Sequence, residues 1–229
     1  MKTDNWLDEI IHNPPELNLV YTLREYQPYE EEFPDEQYKF LGPSIYERKS
    51  HGFDFVKGER LVIYISLGTV IKGAVSFFQN CVDAFRGENM DVIISVGQKF
   101  DTRKLKNIPS NVHIYKSVPQ IDVLKMADVF VTHGGMNSVS EALVYGIPMV
   151  VIPFVSDQPV NAQCIEKLGV GKRLEHATVN MDTIKNSVLT VFFNSKIKNN
   201  LAKVQRLINE APGNKGGAEM VIRYYSEQV

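Results

Sequence analysis

Only two cysteines, Cys81 and Cys164, occur in the 229 residues, far apart and in neither CxxC nor metal-ligand spacing. No disulfide framework or thiolate site is written into the chain, and both thiols are expected to serve as small buried hydrophobes in a reduced, cytoplasmic protein. No apolar run approaches the ~20 residues that span a bilayer. The opening Met1-Lys-Thr-Asp-Asn-Trp6 is polar and unlike a signal peptide, so a soluble protein with no transmembrane segment is expected. A surplus of positive charge is also lacking: 25 Lys and Arg stand against 27 Asp and Glu, and the isoelectric point is near 6.2. With no basic tract interleaved with aromatics, nucleic acid is not an expected partner. There is no DxD sequence and no His cluster, hence no expected metal and no cofactor.

What is present is enough apolar material for one good core, at 44% hydrophobic and 23% charged residues. From Leu61 onward, short apolar runs alternate with helical patterns, which predicts an α/β fold: a doubly wound parallel sheet of about six strands, Rossmann-like. The predicted strands are 61–65, 91–96, 112–115, 128–132, 148–152 and a weaker 170–174. Between the first two, Val75, Phe78, Val82 and Phe85 recur at helical spacing and read as core. Gly169-Val-Gly171 follows a helical pattern and lacks the third glycine of a dinucleotide fingerprint, so a helix C-cap explains it. Pro212-Gly-Asn-Lys-Gly-Gly217 has the wrong order for a Walker loop and reads as a turn opening a last helix, 217 to about 228.

The richest stretch is Val131 to Ala162, VTHGGMNSVSEALVYGIPMVVIPFVSDQPVNA. A buried strand stops at His133-Gly-Gly135, where two glycines permit a turn that side chains would block. Asn137 and Ser138 suit a helix N-cap, with Glu141 three beyond Ser138 as in a capping box. The helix is expected to end at Gly146 before Pro148, a strand to follow, and 153–158 to form the loop beyond it. Taken singly, the His is an ordinary turn residue and the Ser–Glu pair an ordinary cap. Together, strand ends and a helix N-terminus converge on one spot suited to phosphate. In a sheet of order 3-2-1-4-5-6 that spot is also the crevice between strands 1 and 4. Strand 1 runs into Ser66-Leu-Gly-Thr69 and strand 4 into His133-Gly-Gly135.

These residues resemble the signature box of the UDP-dependent glycosyltransferases of family 1, with two Rossmann-like domains (the GT-B fold), and most closely their bacterial macrolide-glycosyltransferase branch. The box HxGWNSxxEx, GxP and DQ stands here as His133-Gly-Gly-Met-Asn-Ser-Val-Ser-Glu141, Gly146-Ile-Pro148 and Asp157-Gln158, and Ser117-Val-Pro-Gln120 matches its head. The resemblance runs from about Leu17 to the C-terminus. It implies that the chain is the C-terminal half of a GT-B enzyme: residues 58–229 the nucleotide-sugar donor-binding domain, and residues 1–57 the end of the N-terminal acceptor domain plus the linker. The acidic stretch 30–36 reads as solvated surface. The final helix would cross back to the acceptor domain.

The implied reaction transfers a hexose, glucose by default, from a UDP-sugar to the hydroxyl of a small-molecule acceptor, with inversion. By resemblance, Ser66, Gly68, Thr69, His133, Gly134, Gly135, Asn137 and Ser138 meet the diphosphate. Ser117, Val118, Gln120 and Glu141 meet ribose and uracil, and Asp157 and Gln158 meet the donor sugar. Ser117 stands where many relatives carry a tryptophan that stacks on uracil, so that stacking is lost and TDP-sugars stay open as donors. The family's general base is a His of the acceptor domain. His12 and His51 are not candidates for it, so no catalytic residue is expected in this chain, and the missing acceptor domain is an implied partner. Alternatives are the donor-binding subunit of a two-chain glycosyltransferase, a non-catalytic nucleotide-sugar sensor and, ranked lower, a sugar-nucleotide epimerase.

Overall fold

The computed structural model describes residues 15–46, 53–68 and 74–227. Along them run strands β1 (Asn18–Val20), β2 (Tyr38–Phe40), β3 (Leu61–Ser66), β4 (Met90–Ser95), β5 (Val112–Tyr115), β6 (Val129–Thr132), β7 (Met149–Val151) and β8 (Gly171–Arg173). Helices are α1 (Val75–Ala84), α2 (Gln120–Leu124), α3 (Met136–Tyr145), α4 (Gln158–Leu168), α5 (Met181–Phe193), α6 (Ser195–Glu210) and α7 (Gly213–Ser226). The chain gathers into two compact units, residues 45–206 and residues 1–44 with 207–229.

The larger unit holds a six-stranded, all-parallel sheet in the order β5-β4-β3-β6-β7-β8. Counted within that sheet, this is 3-2-1-4-5-6, the predicted order, and the fold is the doubly wound α/β sheet expected. Val62 to Ile65, Val92 to Ile94, Val129 to Val131 and Met149 to Ile152 are all sealed from solvent. Such unbroken apolar strands are what a sheet covered on both faces requires, each large side chain contributing about 1.5–3 kcal/mol by burial. The predicted strands agree within one residue at each end. Phe78, Val82 and Phe85 lie in the core as expected, joined by Phe77, whereas Val75, at the start of α1, is only half-buried. Both cysteines are free and buried.

Helix ends are set by local chemistry. α3 stops at Gly146 and α4 at Gly169, both left-handed, as read from the sequence. The start of α3 differs from expectation. It begins at Met136 with extended Gly135 as its cap, and no side chain caps it. Asn137 and Ser138 therefore sit inside the first turn, and the capping box is not formed. The last helix also differs: it starts at Gly213, four residues earlier than expected, with Pro212 at the cap, where its missing N–H costs nothing, and Gly213 at φ +62°, an angle that suits glycine.

Two polar anchors tie the larger unit at the amino ends of its strands. The Asp128 carboxylate accepts from Val62 N at 2.8 Å and from Lys57 Nζ at 2.8 Å, and the same ammonium donates to Met126 O at 2.9 Å. Buried Asn111 shares its amide hydrogens among the carbonyls of Phe85 and Met90, each at 2.9 Å, and Glu88 at 3.3 Å.

In the smaller unit, β1 and β2 pair in parallel. Arg24 binds their connection together, donating to the carbonyls of Glu30 and Phe33 at 3.0 Å each, pairing with Asp35 and lying 4.3 Å from the Phe40 ring centre. The acidic stretch thus supplies backbone acceptors as well as solvated carboxylates. α7 packs on these strands: Gly213 N donates to Leu41 O at 2.9 Å, Tyr224 donates to Glu16 at 2.7 Å, and Gly217 leaves room for Leu41.

Removing the Asn111 amide takes donors from the Met90 and Glu88 carbonyls and leaves Phe85 O only Glu88 N at 3.2 Å, which costs about 1–3 kcal/mol. Asn111→Ala is accordingly expected to lower the unfolding free energy by that amount, read as a lower urea midpoint at unchanged slope, and an unchanged midpoint would show that the clamp contributes nothing.

Candidate functional site

The candidate site lies at the carboxyl ends of β3 and β6, which pair Ser66 against Thr132. Beyond them the chain diverges, β3 into Leu67-Gly68 and β6 into His133-Gly134-Gly135. This is the switch point of the sheet, and all described candidate residues belong to the larger unit.

His133 is its centre. The imidazole is held in a slot between two glycines: a Cβ at Gly68 would stand 2.7 Å from Cε1, and one at Gly135 would stand 2.5 Å from Nε2. Any side chain at either position would press on the same Cε1–Nε2 edge of the ring and displace it. Gly134, at φ +85°, turns the backbone against Val151, where again a Cβ would collide. His133 is only 9% exposed, and its Nδ1 is buried without a hydrogen-bond partner. Burial pushes its pKa below the ordinary histidine value, against an opposite pull from the Asp157 carboxylate. The ring is neutral near pH 7.

Beside this slot the first turn of α3 presents backbone N–H groups that the helix itself cannot satisfy. Asn137 is exposed on that turn and Ser138 half-buried. Ser66 is buried, and its hydroxyl accepts from Gly68 N at 3.3 Å. Thr69 lies outside the described residues, as do His12 and His51.

A second group of candidates forms one hydrogen-bonded chain. Gln120, at the start of α2, donates through Nε2 to Ser138 Oγ at 3.1 Å and to Glu141 Oε2 at 2.6 Å. Its Oε1 accepts from the Tyr64 hydroxyl at 3.0 Å. Ser138 and Glu141, expected to face each other as a cap, both turn instead toward Gln120. Ser117 is exposed and Val118 half-buried on the segment leading from β5 into α2.

Asp157 and Gln158 divide in role. Gln158 is buried as the first residue of α4, and its Oε1 accepts from Phe154 N at 2.9 Å and Val155 N at 3.1 Å, closing the loop after β7. The expected loop therefore ends at Asp157, which is exposed. Asn161 ties the two parts together, donating to Gly134 O at 2.8 Å and to Asp157 Oδ2 at 2.9 Å. Ser156, between them, holds φ at +62°, a strained angle for a residue with a side chain. Among the described residues no group of three His, Cys, Asp or Glu could share a metal ion, and no helix is long and apolar enough to cross a membrane.

Asn161 stands in the richest stretch of the sequence, which does not show its partners. One contributor, Tyr64, was missed; its available signal is a polar phenol inside the otherwise aliphatic run Val62 to Ile65.

Two measurements check this geometry. Gly135→Ala is expected to cost about 1–3 kcal/mol by overpacking, and much less in a His133→Ala background where the slot is empty; equal losses in both backgrounds would remove the slot as the cause. Because folding lowers the His133 pKa, the unfolded chain takes up the proton first as pH falls. The stability this histidine permits is complete above its unfolded value, about 6.5, and declines below it with a slope of at most about 1.4 kcal/mol per pH unit. Denaturant titrations of wild type and His133→Asn from about pH 7.5 to 5.5 should therefore converge as pH drops, whereas parallel curves would contradict the assignment.

The profile of the family described as "UDP-glucoronosyl and UDP-glucosyl transferase" matches residues 46–215. The uncharacterized UDP-glucosyltransferase YdhE of Bacillus subtilis is 41% identical over 208 residues, which cover 89% of this chain and 52% of that protein. Oleandomycin glycosyltransferase of Streptomyces antibioticus is 27% identical over 216 residues, 93% of this chain and 50% of its own length. Among solved structures, the glycotransferase of kitacinnamycin superposes with a TM-score of 0.88 at 31% identity, covering 96% of this chain and 60% of that one. The chain thus spans about half the length of the curated relatives it matches. With the signature residues gathered at the switch point of the sheet and a family profile matching most of the sequence, the chain belongs to the UDP-glucuronosyl and UDP-glucosyl transferase family, in which it corresponds to the C-terminal Rossmann-like domain of the GT-B fold.

Proposed function

We propose that residues 58–229 bind the UDP-sugar donor of an inverting glycosyltransferase, and that residues 1–57 are the end of its acceptor domain and the linker. The observation that carries this reading is the His133 slot: a neutral, buried imidazole with an unpartnered nitrogen beside a helix N-terminus. Buried polar atoms are ordinarily paired, so one left over at a switch point is a place for a ligand.

In this reading the diphosphate lies across Ser66, Gly68, Thr69, His133, Gly134 and Gly135 and the first turn of α3 with Asn137 and Ser138. The acceptor oxygen forms a bond to the anomeric carbon as the bond from that carbon to the β-phosphate oxygen breaks, and negative charge gathers on the departing UDP. Donors fixed before the reaction begins stabilise that charge without reorganising. The slot and the Asn161 tie to Gly134 supply such fixity. Glu141 accepts from ribose hydroxyls, Ser117, Val118 and Gln120 border ribose and uracil, and Asp157 accepts from the hydroxyls of the sugar. Gln158 has its Oε1 engaged in the loop, so its NH2 group is the part left for the sugar.

The acceptor hydroxyl must lose its proton to a base, which we place in the acceptor domain; the chain alone would then bind donor without efficient transfer. A small natural-product acceptor fits the likeness to oleandomycin glycosyltransferase. A hexose donor and a cytoplasmic setting complete the reading.

Titrating the purified chain with UDP while following its melting should reveal stabilisation, reaching about 2.7 kcal/mol at one hundred times the dissociation constant. Glu141→Ala should weaken the response, and ADP should give little. Absence of a shift with UDP and TDP alike would overturn the donor-site reading, and robust glycosylation by the chain alone would overturn its incompleteness.

A further inference from the structure

Tyr64 has no place in the chemistry above, yet the structure treats it unlike its neighbours. It sits in the middle of β3, 1% exposed, with its ring stacked on Phe130 at 4.8 Å between centres and 7° between planes. A phenylalanine would keep that stack and that burial. The hydroxyl is an extra polar group in the core, and such a group is retained only where it is paired.

Its pairing has a direction. Burial pushes the phenol pKa far up, with the Glu141 carboxylate pushing the same way, so the oxygen keeps its proton. The hydroxyls of Ser66 and Ser95 face the same oxygen, and it donates its own proton to Gln120 Oε1 at 3.0 Å. With its oxygen fixed there, the Gln120 amide must present its NH2 group to α3. Its hydrogens reach Ser138 Oγ and Glu141 Oε2. A glutamine has three rotatable side-chain bonds and would not hold one such pose unaided, and here both ends of its amide are pinned. Glu141 Oε2 is thereby engaged, leaving Oε1 as the oxygen for a further hydroxyl.

We propose that Tyr64 is a positioning residue that acts through Gln120 to set the Glu141 carboxylate for a nucleotide's ribose, so that the chain discriminates ribose from 2′-deoxyribose in its donor. This rests on the donor-site reading of the preceding section. Tyr64 itself does not touch the nucleotide. Its effect runs through the hydroxyls that Glu141 accepts from, so it is larger where the 2′-hydroxyl is present, which separates positioning from general support of the fold.

The test is calorimetric titration of the full chain with UDP and with 2′-deoxy-UDP, which share base and diphosphate. Wild type should favour UDP by about tenfold or more, as a hydrogen bond to a charged acceptor allows. Tyr64→Phe should weaken UDP by roughly three- to tenfold and 2′-deoxy-UDP clearly less, shrinking the ratio. Gln120→Met should shrink it likewise, and adding Tyr64→Phe to Gln120→Met should have no further effect, since the path is already cut. If Tyr64→Phe does not fold, the ratio in Gln120→Met decides: a ratio kept at the wild-type value rejects the proposal. Equal weakening of both nucleotides by Tyr64→Phe, or no change in either, would also reject it while leaving the donor site standing. Failure of wild type to bind either nucleotide would bring down the donor-site reading, and this proposal with it.

Discussion

The parallel pairing of β3 with β6 is the constraint on which the site depends, because it brings together two strand ends from positions 66 and 132 and sends the chain beyond them in different directions. A slot can exist only because these two exits lie side by side. Gly68 comes from one and Gly135 from the other, and His133 fills the gap between. Shifting the register by one residue would turn each side chain of a strand to the opposite face. Tyr64, facing Gln120, would then be lost to the network, and Ser66 with it.

The ligand-facing groups are held by contacts that themselves need no ligand. Gln158 fastens its own loop, Asn161 joins Gly134 to Asp157, and Gln120 joins α2 to α3. Buried hydrogen bonds of this kind cost most when broken, so they favour one arrangement over near alternatives. The exposed members, Asn137, Asp157 and Ser117, stand at the rim of this rigid framework.

The sheet was legible in the sequence because a fully buried parallel strand is written as an apolar run, and runs such as Val129–Thr132 end at turn residues, here His133-Gly134-Gly135. Strand order followed from the doubly wound pattern. The glycines, His133 and the DQ pair were legible as a motif. The start of α3 was misread because cap preference is a local average: it ranks Asn and Ser above glycine, whereas here Gly135 is required by His133 and so takes the cap. What Ser138 and Glu141 bond to could not be read locally, since their partner Gln120 is 18 and 21 residues away. Tyr64 lies 56 residues from Gln120, and nothing in its immediate neighbourhood records that contact.

The anchoring of Lys57 to Asp128 has a mechanical meaning. Asp128 stands just before β6 and also holds the backbone of Val62 near the start of β3, so the knot lies at the amino ends of the two central strands. The His133 slot lies at their carboxyl ends, with a six-residue strand, roughly 20 Å, in between. A pull on the chain ahead of Lys57 is taken up at this knot as a load along stiff, hydrogen-bonded struts. The ion pair and the glycine slot thus fasten opposite ends of the same two strands, so strain at one end reaches the other only along the hydrogen-bonded length of β3 and β6.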